Sequence, residues 1–237
     1  MKLICANFKM NLLENDVLNY LKKINNKINK KNTIFFPSIP YIKLFSNKNY
    51  QVGSQDISFL EFGSITGDIS VNQLIELGIT YTLVGHFERR KYFDDDKYIS
   101  KKVKLALKKN IKVILCIGES MKSSDEEIYN FLKDEINEAL ENNLDLIKND
   151  NLIIAYEPIW SIGSKVIPDN NYLINTISFI KDYIKNTYQK DIKVLYGGSV
   201  NLENIDILEK IKKIDGYLIG GTSLNYEDFL ALTKKIK

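Results

Sequence analysis

The chain has 237 residues, of which 44% are hydrophobic and 27% are charged, so it is long enough to bury a sizeable core in one or two domains. Lysine and arginine (33) nearly balance aspartate and glutamate (30), which argues against a nucleic-acid or anionic-membrane partner. One histidine excludes a histidine-based metal cluster, and two cysteines 111 residues apart cannot form a zinc site or a disulfide framework. We expect a cytoplasmic protein without a signal peptide or membrane span.

Short apolar runs recur along the chain, and each is followed by a more polar segment. We predict eight strands from them: Leu3–Ala6, Thr33–Phe36, Tyr50–Ser54, Thr80–Val84, Lys112–Cys116, Leu152–Tyr156, Lys193–Tyr196 and Gly216–Ile219. Apolar and polar residues do not alternate within these runs. That pattern is typical of parallel strands that are buried on both faces.

Helical spacing of apolar residues follows four of the predicted strands. The four sets are Val17, Leu18, Leu21, Ile24 and Ile28; Ile128, Phe131, Leu132, Ile136, Ala139 and Leu140; Ile205, Leu208 and Ile211; and Phe229, Leu230 and Leu232. Ser124 with Glu127 three residues later predicts a capping box at the start of the second of these helices.

Eight strand–helix units fit the length of the chain at about 30 residues each. We therefore predict the α/β class, with residues 1–237 forming a single domain built as a closed (β/α)8 barrel. The pattern alone also allows an open, doubly wound sheet. Neither the dinucleotide-binding Gly-x-Gly-x-x-Gly motif nor the P-loop motif occurs.

Polar residues follow the predicted strands at the end where barrel active sites form. His86 is the only histidine, and it is either a catalytic group or a structural one. Glu157 comes directly after an apolar strand, where partial burial would raise its pKa and suit a general base, although a surface glutamate is the alternative. Lys9 is a candidate anion ligand, a Schiff-base nucleophile or a solvated loop lysine.

Two glycine pairs follow the last two strands. Gly197-Gly198, which precedes Ser199, and Gly220-Gly221 allow backbone N–H groups to approach a phosphate, and barrels typically bind phosphate at this position. Tight strand-to-helix turns are the alternative interpretation.

Six segments, in order and spacing, resemble those of the triosephosphate isomerase family over nearly the whole chain. They are ANFKMN, VGHFERR, CIGES, AYEPIWSIG, LYGGSVN and DGYLIGGTSL. The resemblance implies a (β/α)8 TIM barrel that interconverts dihydroxyacetone phosphate and D-glyceraldehyde 3-phosphate through an enediolate, in glycolysis and gluconeogenesis. It also implies a homodimer that needs no metal and no organic cofactor.

The resemblance also implies a role for each matching residue. Glu157 is the expected base and His86 the expected electrophile, with Lys9 beside them. The expected substrate contacts are Asn7, Gly163, Ser199, Gly220 and Gly221. Glu88 is expected to support the Lys9 ammonium, Ser164 to support phosphate from the lid, and Thr66 to reach into a partner subunit.

The sequence departs from the family pattern in three places. Phe8 stands where the family usually has tryptophan, Phe87 where it has serine, and Lys165-Val166 where it has Gly-Lys in the lid. Two other functions compete with the isomerase. One is a barrel aldolase with a Schiff base on Lys9, and a carboxylate at Glu88 argues against it. The other is a catalytically inactive scaffold, which the presence of both His86 and Glu157 argues against.

Overall fold

The computed structural model describes residues 1–163 and 167–237. In these residues the eight predicted strands form, and each boundary lies within one residue of its prediction. They are β1 Leu3–Asn7, β2 Thr33–Phe36, β3 Gln51–Ser54, β4 Tyr81–Val84, β5 Lys112–Ile117, β6 Leu152–Tyr156, β7 Lys193–Tyr196 and β8 Gly216–Ile219.

The α-helices lie between and after the strands. They are α1 Glu14–Ile24, α2 Ile42–Ser46, α3 Val71–Glu76, α4 Phe87–Tyr92, α5 Asp96–Lys108, α6 Asp125–Leu140, α7 Asn170–Tyr188, α8 Ile205–Leu208 and α9 Tyr226–Lys235. Short 3-10 turns cover Ile39–Tyr41, Glu141–Leu146, Ile159–Ser161 and Gly221–Leu224. The four predicted helices correspond to α1, α6, α8 and α9, and the capping box of Ser124 and Glu127 is confirmed at the start of α6.

All eight strands are parallel, and each pairs with its neighbours in chain order. The barrel closes between the first and last strands, where the register runs from Leu3↔Gly216 to Ala6↔Ile219. The closed (β/α)8 barrel is therefore confirmed, and the open sheet is excluded. Because the strands are parallel, their carboxyl ends meet at one rim of the barrel.

Strand residues alternate between two apolar cores. One set faces the barrel interior and packs only with other strand residues, and it includes Cys5, Phe36, Cys116 and Leu218. The other set packs against the helices. Cys5 and Cys116 are both buried and both free.

Not every residue at the predicted helical spacing is buried. Leu18 of α1 and Phe131 of α6 are 45% and 43% exposed. Ile28 is buried, but it lies beyond the end of α1 at Ile24. Within residues 1–163 and 167–237, none of the helices has the length and apolar character needed to cross a bilayer.

Candidate active site

A cavity of about 290 Å³ opens at the carboxyl-end rim of the barrel. It is lined by eight of the predicted site residues: Asn7, Lys9, His86, Glu157, Gly163, Ser199, Gly220 and Gly221. Five lining residues were not predicted, namely Ile162, Val200, Asn201, Leu218 and Thr222. All five lie inside the matching segments, so they could have been found by treating every residue of those segments as a candidate.

Larger grooves lie elsewhere on the surface, with volumes of about 480, 490 and 530 Å³. The first lies between α5 and the end of α6 and is lined mainly by lysines, acidic residues and asparagines. None of these grooves holds a residue from the carboxyl-end rim. The smaller cavity is the candidate site because reactive side chains converge there.

His86 is held by the turn that leaves β4. Gly85 has a φ of +74°, a left-handed conformation that glycine adopts readily, and the chain turns there into α4. His86 is the N-cap of this helix, and its Nδ1 accepts a hydrogen bond from Glu88 N at 3.3 Å. Because Nδ1 accepts this hydrogen bond, Nε2 is the ring nitrogen that remains to donate into the cavity.

Glu157 is the first residue after β6, and it is only 2% exposed. Its N–H donates to Ile117 O at 2.8 Å, which anchors the residue to the end of β5. Its Oε1 lies 3.5 Å from His86 Nε2, and its Oε2 accepts from Phe87 N at 3.4 Å. Burial raises the pKa of Glu157, although His86, the Phe87 N–H and the Cys116 thiol lower it in part.

Lys9 adopts a left-handed conformation, with a φ of +51° that is uncommon for a residue with a side chain. Hydrogen bonds hold this conformation: its N–H donates to Asn7 Oδ1 at 3.0 Å. Its carbonyl accepts from Ser38 Oγ at 2.8 Å and Gln55 Nε2 at 2.7 Å. The ammonium Nζ donates to Glu88 Oε1 at 2.8 Å, so the side chain carries a charged, paired ammonium group.

The opposite wall of the cavity is made of backbone. Ser199 follows β7, and the 3-10 turn Gly221–Leu224 follows β8. Thr222 Oγ1 donates to Val200 O at 2.7 Å, which joins the two loops. Backbone N–H groups at such a turn can bind an anion, and small residues leave room for one to approach.

The comparisons with known proteins agree on one family. The family model described as "Triosephosphate isomerase" matches residues 2–236. The triosephosphate isomerase of Alkaliphilus oremlandii is 34% identical, with 97% of each chain covered. That of Dictyostelium discoideum is 36% identical over 97% of this chain and 93% of its own, and that of Mycoplasma capricolum is 35% identical over 98% and 97%.

The chain belongs to the triosephosphate isomerase family. It is therefore an enzyme of the isomerase class. Among the residues that the structure describes, no group of three or more histidine, cysteine or acidic side chains could hold a metal ion.

In this member of the triosephosphate isomerase family, the 3-10 turn Ile159–Ser161 is tied to the loop that follows β5. Trp160 Nε1 donates to Glu119 Oε1 at 2.7 Å, and Tyr172 OH donates to the same oxygen at 2.7 Å. Tyr156 OH also binds this buried carboxylate. Glu119 was not predicted as a site residue, although it lies in the segment CIGES. Ser164, expected to contact phosphate, and the altered lid pair Lys165-Val166 lie outside the described residues.

Two further predicted residues do not line the cavity. Glu88 lies behind it and reaches the site through its bond to the Lys9 ammonium. Thr66 is exposed and far along the loop that follows β3, outside the lining of the cavity. Its expected place in a partner subunit stays a prediction.

Proposed function

We propose that this chain interconverts dihydroxyacetone phosphate and D-glyceraldehyde 3-phosphate, with Glu157 as the base and His86 as the electrophile. The observation that carries the proposal is the 3.5 Å approach of the Glu157 carboxylate to His86 Nε2 in a cavity that the Lys9 ammonium also lines. The relatives are triosephosphate isomerases, which supports the choice of substrate.

The reaction removes a proton next to a carbonyl and returns it to the adjacent carbon. One carboxylate can serve both carbons if it lies beside the bond that joins them. A buried Glu157 with a raised pKa is a stronger base than an exposed glutamate, which suits this role. The hydrogen bond from Glu157 N to Ile117 O in β5 limits how far the carboxylate can move.

The enediolate that forms has negative charge on oxygen and needs fixed donors. His86 supplies the Nε2–H, because Nδ1 already accepts from Glu88 N. Lys9 supplies an ammonium. The Asn7 amide oxygen already accepts from Lys9 N, so the amino group is the part of that side chain left to donate.

The phosphate is proposed to lie against Ser199, Gly220 and Gly221, with Gly163 of the lid closing over it. Ser199, Gly220, Gly221 and Gly163 line the same cavity as His86 and Glu157. The enediolate phosphate can also eliminate phosphate when water and conformational freedom are allowed. A closed lid would suppress that side reaction by excluding water.

We also propose that the chain acts as a homodimer, in which Thr66 inserts beside the partner's copy of the Lys9 and Asn7 region. Exposed apolar side chains on the same side of the barrel support this: Phe62, in the Thr66 loop, is 72% exposed, and Met10 and Leu13 follow Lys9. One domain over residues 1–237, a cytoplasmic location and a place in glycolysis and gluconeogenesis stay predictions.

A coupled assay of the purified chain tests the proposed reaction. D-glyceraldehyde 3-phosphate should be converted to dihydroxyacetone phosphate with saturation kinetics. Glu157→Asp draws the carboxylate back by about one methylene, so kcat should fall ~100-fold or more while KM changes little. Glu76→Asp is the matched control, because Glu76 is exposed at the end of α3 and does not line the cavity, and it should behave as the wild type.

Two results would refute the proposal. A folded wild-type chain without isomerase activity would favour an inactive scaffold. Covalent trapping of substrate on Lys9 by borohydride would favour a Schiff-base aldolase, which the 2.8 Å bond from its ammonium to Glu88 disfavours.

A further inference from the structure

Arginine is rare in this chain. Of the 33 lysines and arginines, 31 are lysine, and the two arginines are adjacent at Arg89 and Arg90. Lysine supplies positive charge everywhere else. Arginine differs by its planar fork of five donors, which can bind two acceptors at fixed angles. The contacts of these two residues therefore show which acceptors in the fold are bound by a guanidinium group.

Arg90 bridges two strands at the point where their ladder ends. The last register pair between β4 and β5 is Val84↔Leu115, and the next residues are Gly85 and Cys116. Arg90 Nε donates to Gly85 O at 2.8 Å, and its Nη2 donates to Cys116 O at 3.2 Å. One guanidinium thus replaces the backbone bonds that no longer join the two strands.

Both bridged carbonyls lie next to the reactive residues. Gly85 directly precedes His86. Cys116 directly precedes Ile117, whose carbonyl accepts from Glu157 N at 2.8 Å. A shift of either strand end would therefore change the distance between the imidazole and the carboxylate.

Glu135 of α6 fixes the same region from behind. Its buried carboxylate places Oε1 3.3 Å from Arg90 Nη1, and its Oε2 accepts from Gly118 N at 2.8 Å. Gly118 packs closely on Glu157, since a Cβ at Gly118 would lie 2.0 Å from Glu157 O. Asp96 also binds Arg90 Nη1, at 2.6 Å, but its side chain is half exposed.

We propose that Arg90 and Glu135 are positioning residues that hold the ends of β4 and β5 so that His86 and Glu157 face each other across the cavity. Neither touches the substrate. The inference rests on the proposed function, because positioning has meaning only if these two residues perform the reaction.

Arg90→Lys tests the fork. Lysine keeps the charge but presents its donors from a single nitrogen, so it cannot span both carbonyls in the same geometry. We expect kcat to fall by about 30- to 100-fold, with KM within threefold of the wild type, because the substrate-binding wall is unchanged. Thermal unfolding and far-UV circular dichroism give the folded fraction by which kcat is corrected.

Glu135→Gln and Asp96→Asn form a matched pair. Each removes one carboxylate from Arg90 Nη1. An amide at residue 135 has one acceptor oxygen for two donors, so either Arg90 or Gly118 faces an N–H₂ group. We expect kcat to fall about tenfold in Glu135→Gln and to stay within twofold in Asp96→Asn. A role in charge pairing alone predicts the opposite order, because Asp96 makes the shorter contact.

NMR of the single histidine supplies a readout that does not depend on turnover. The His86 imidazole signals should shift in Arg90→Lys and Glu135→Gln and stay in place in Asp96→Asn. Unchanged kcat per folded molecule in Arg90→Lys, or equal losses in the two carboxylate variants, would overturn the inference. An inactive wild type would instead refute the proposed function. If Arg90→Lys does not fold, the comparison of Glu135→Gln with Asp96→Asn tests the inference.

Discussion

Replacing Phe87 by serine removes a ring that contacts two reactive side chains. The ring centroid lies 5.2 Å from Lys9 Nζ and 4.9 Å from the centre of the His86 ring, at an angle of 37°. The Phe87 N–H donates to Glu157 Oε2. Serine would keep that backbone bond and bring a hydroxyl within reach of the same carboxylate.

The expected effect follows from what is lost and what is gained. A partly exposed cation–π contact contributes about 0.5–1 kcal/mol, and a tilted ring pair about 0.5–1.5 kcal/mol. A hydroxyl bound to Glu157 holds the carboxylate more firmly where it now lies, so a substrate that requires it to move binds less well. These effects overlap, and we expect a net loss of about 1 kcal/mol, or roughly fivefold in affinity.

The hydroxyl also changes the acidity of the base. A donor to the ionised carboxylate stabilises the charged form, so it lowers the pKa of Glu157. The acidic limb of kcat/KM should then move to lower pH, by roughly half a unit to one unit. Turnover should stay within about twofold, because His86 and Glu157 are both retained.

Phe87→Leu separates the two contributions, because leucine removes the ring and adds no hydroxyl. Both variants should bind an enediolate analogue more weakly, but only Phe87→Ser should move the pH profile. Trp160, the one tryptophan, lies in the 3-10 turn Ile159–Ser161, and its fluorescence should report closure of the proposed lid. If both variants match the wild type in affinity, pH profile and fluorescence, the ring only fills space and the reasoning is wrong.

Three further predictions concern the rest of the molecule. Two thiols, from Cys5 and Cys116, should titrate after denaturation without reductant, and a count of zero would contradict the free cysteines. Replacing residues 61–67 by a short Gly-Ser turn should give monomers with greatly reduced activity, whereas a fully active monomer would disprove the dimer link. Burial raises the pKa of Glu135 to about 7, against the pull of Arg90 and with a small push from nearby acidic groups. The folded state therefore holds this proton more tightly than the unfolded state, and stability should fall by about 3 kcal/mol as pH rises from below 4.5 through 7. The free energy of unfolding, measured with urea at pH 4.5 and pH 8, should differ less between the two pH values in Glu135→Gln than in the wild type. An equal difference in the two proteins would contradict this prediction.

The strands were predictable because a closed barrel buries both faces of every strand. Runs such as Leu152–Tyr156 and Lys193–Tyr196 are mostly apolar, and polar residues bound them. The helix α7 carries Leu173, Ile177, Ile180 and Ile184 at helical spacing, all buried, so its pattern was available although it was not among the predicted helices. Short helices such as α4 have too few residues for any periodicity to appear.

The cavity residues could be predicted where they follow a predicted strand or lie in a matching segment. Arg90 and Glu135 were not predicted, because the backbone groups that they bind, at Gly85, Cys116 and Gly118, carry no side-chain signal in the sequence. A charged residue on a helix usually indicates a solvated face. Only the tertiary arrangement shows that Glu135 is buried against Gly118. Two features of the sequence could have drawn attention to Arg90: the scarcity of arginine and its place at the end of the matching segment VGHFERR.

The side chains of three site residues are oriented in the same way. A backbone N–H donates to one polar atom of the side chain, and the second polar atom of that side chain is left to face another group. Glu88 N binds His86 Nδ1 and leaves Nε2 toward Glu157, and Phe87 N binds Glu157 Oε2 and leaves Oε1 toward His86. Lys9 N does the same for the Asn7 amide. The backbone that carries these N–H groups depends on left-handed turns, at Gly85 and at Lys9 itself. The conformation of two loops therefore sets which atoms meet the substrate, and a substitution that alters either turn should impair the chemistry even when every reactive side chain is present.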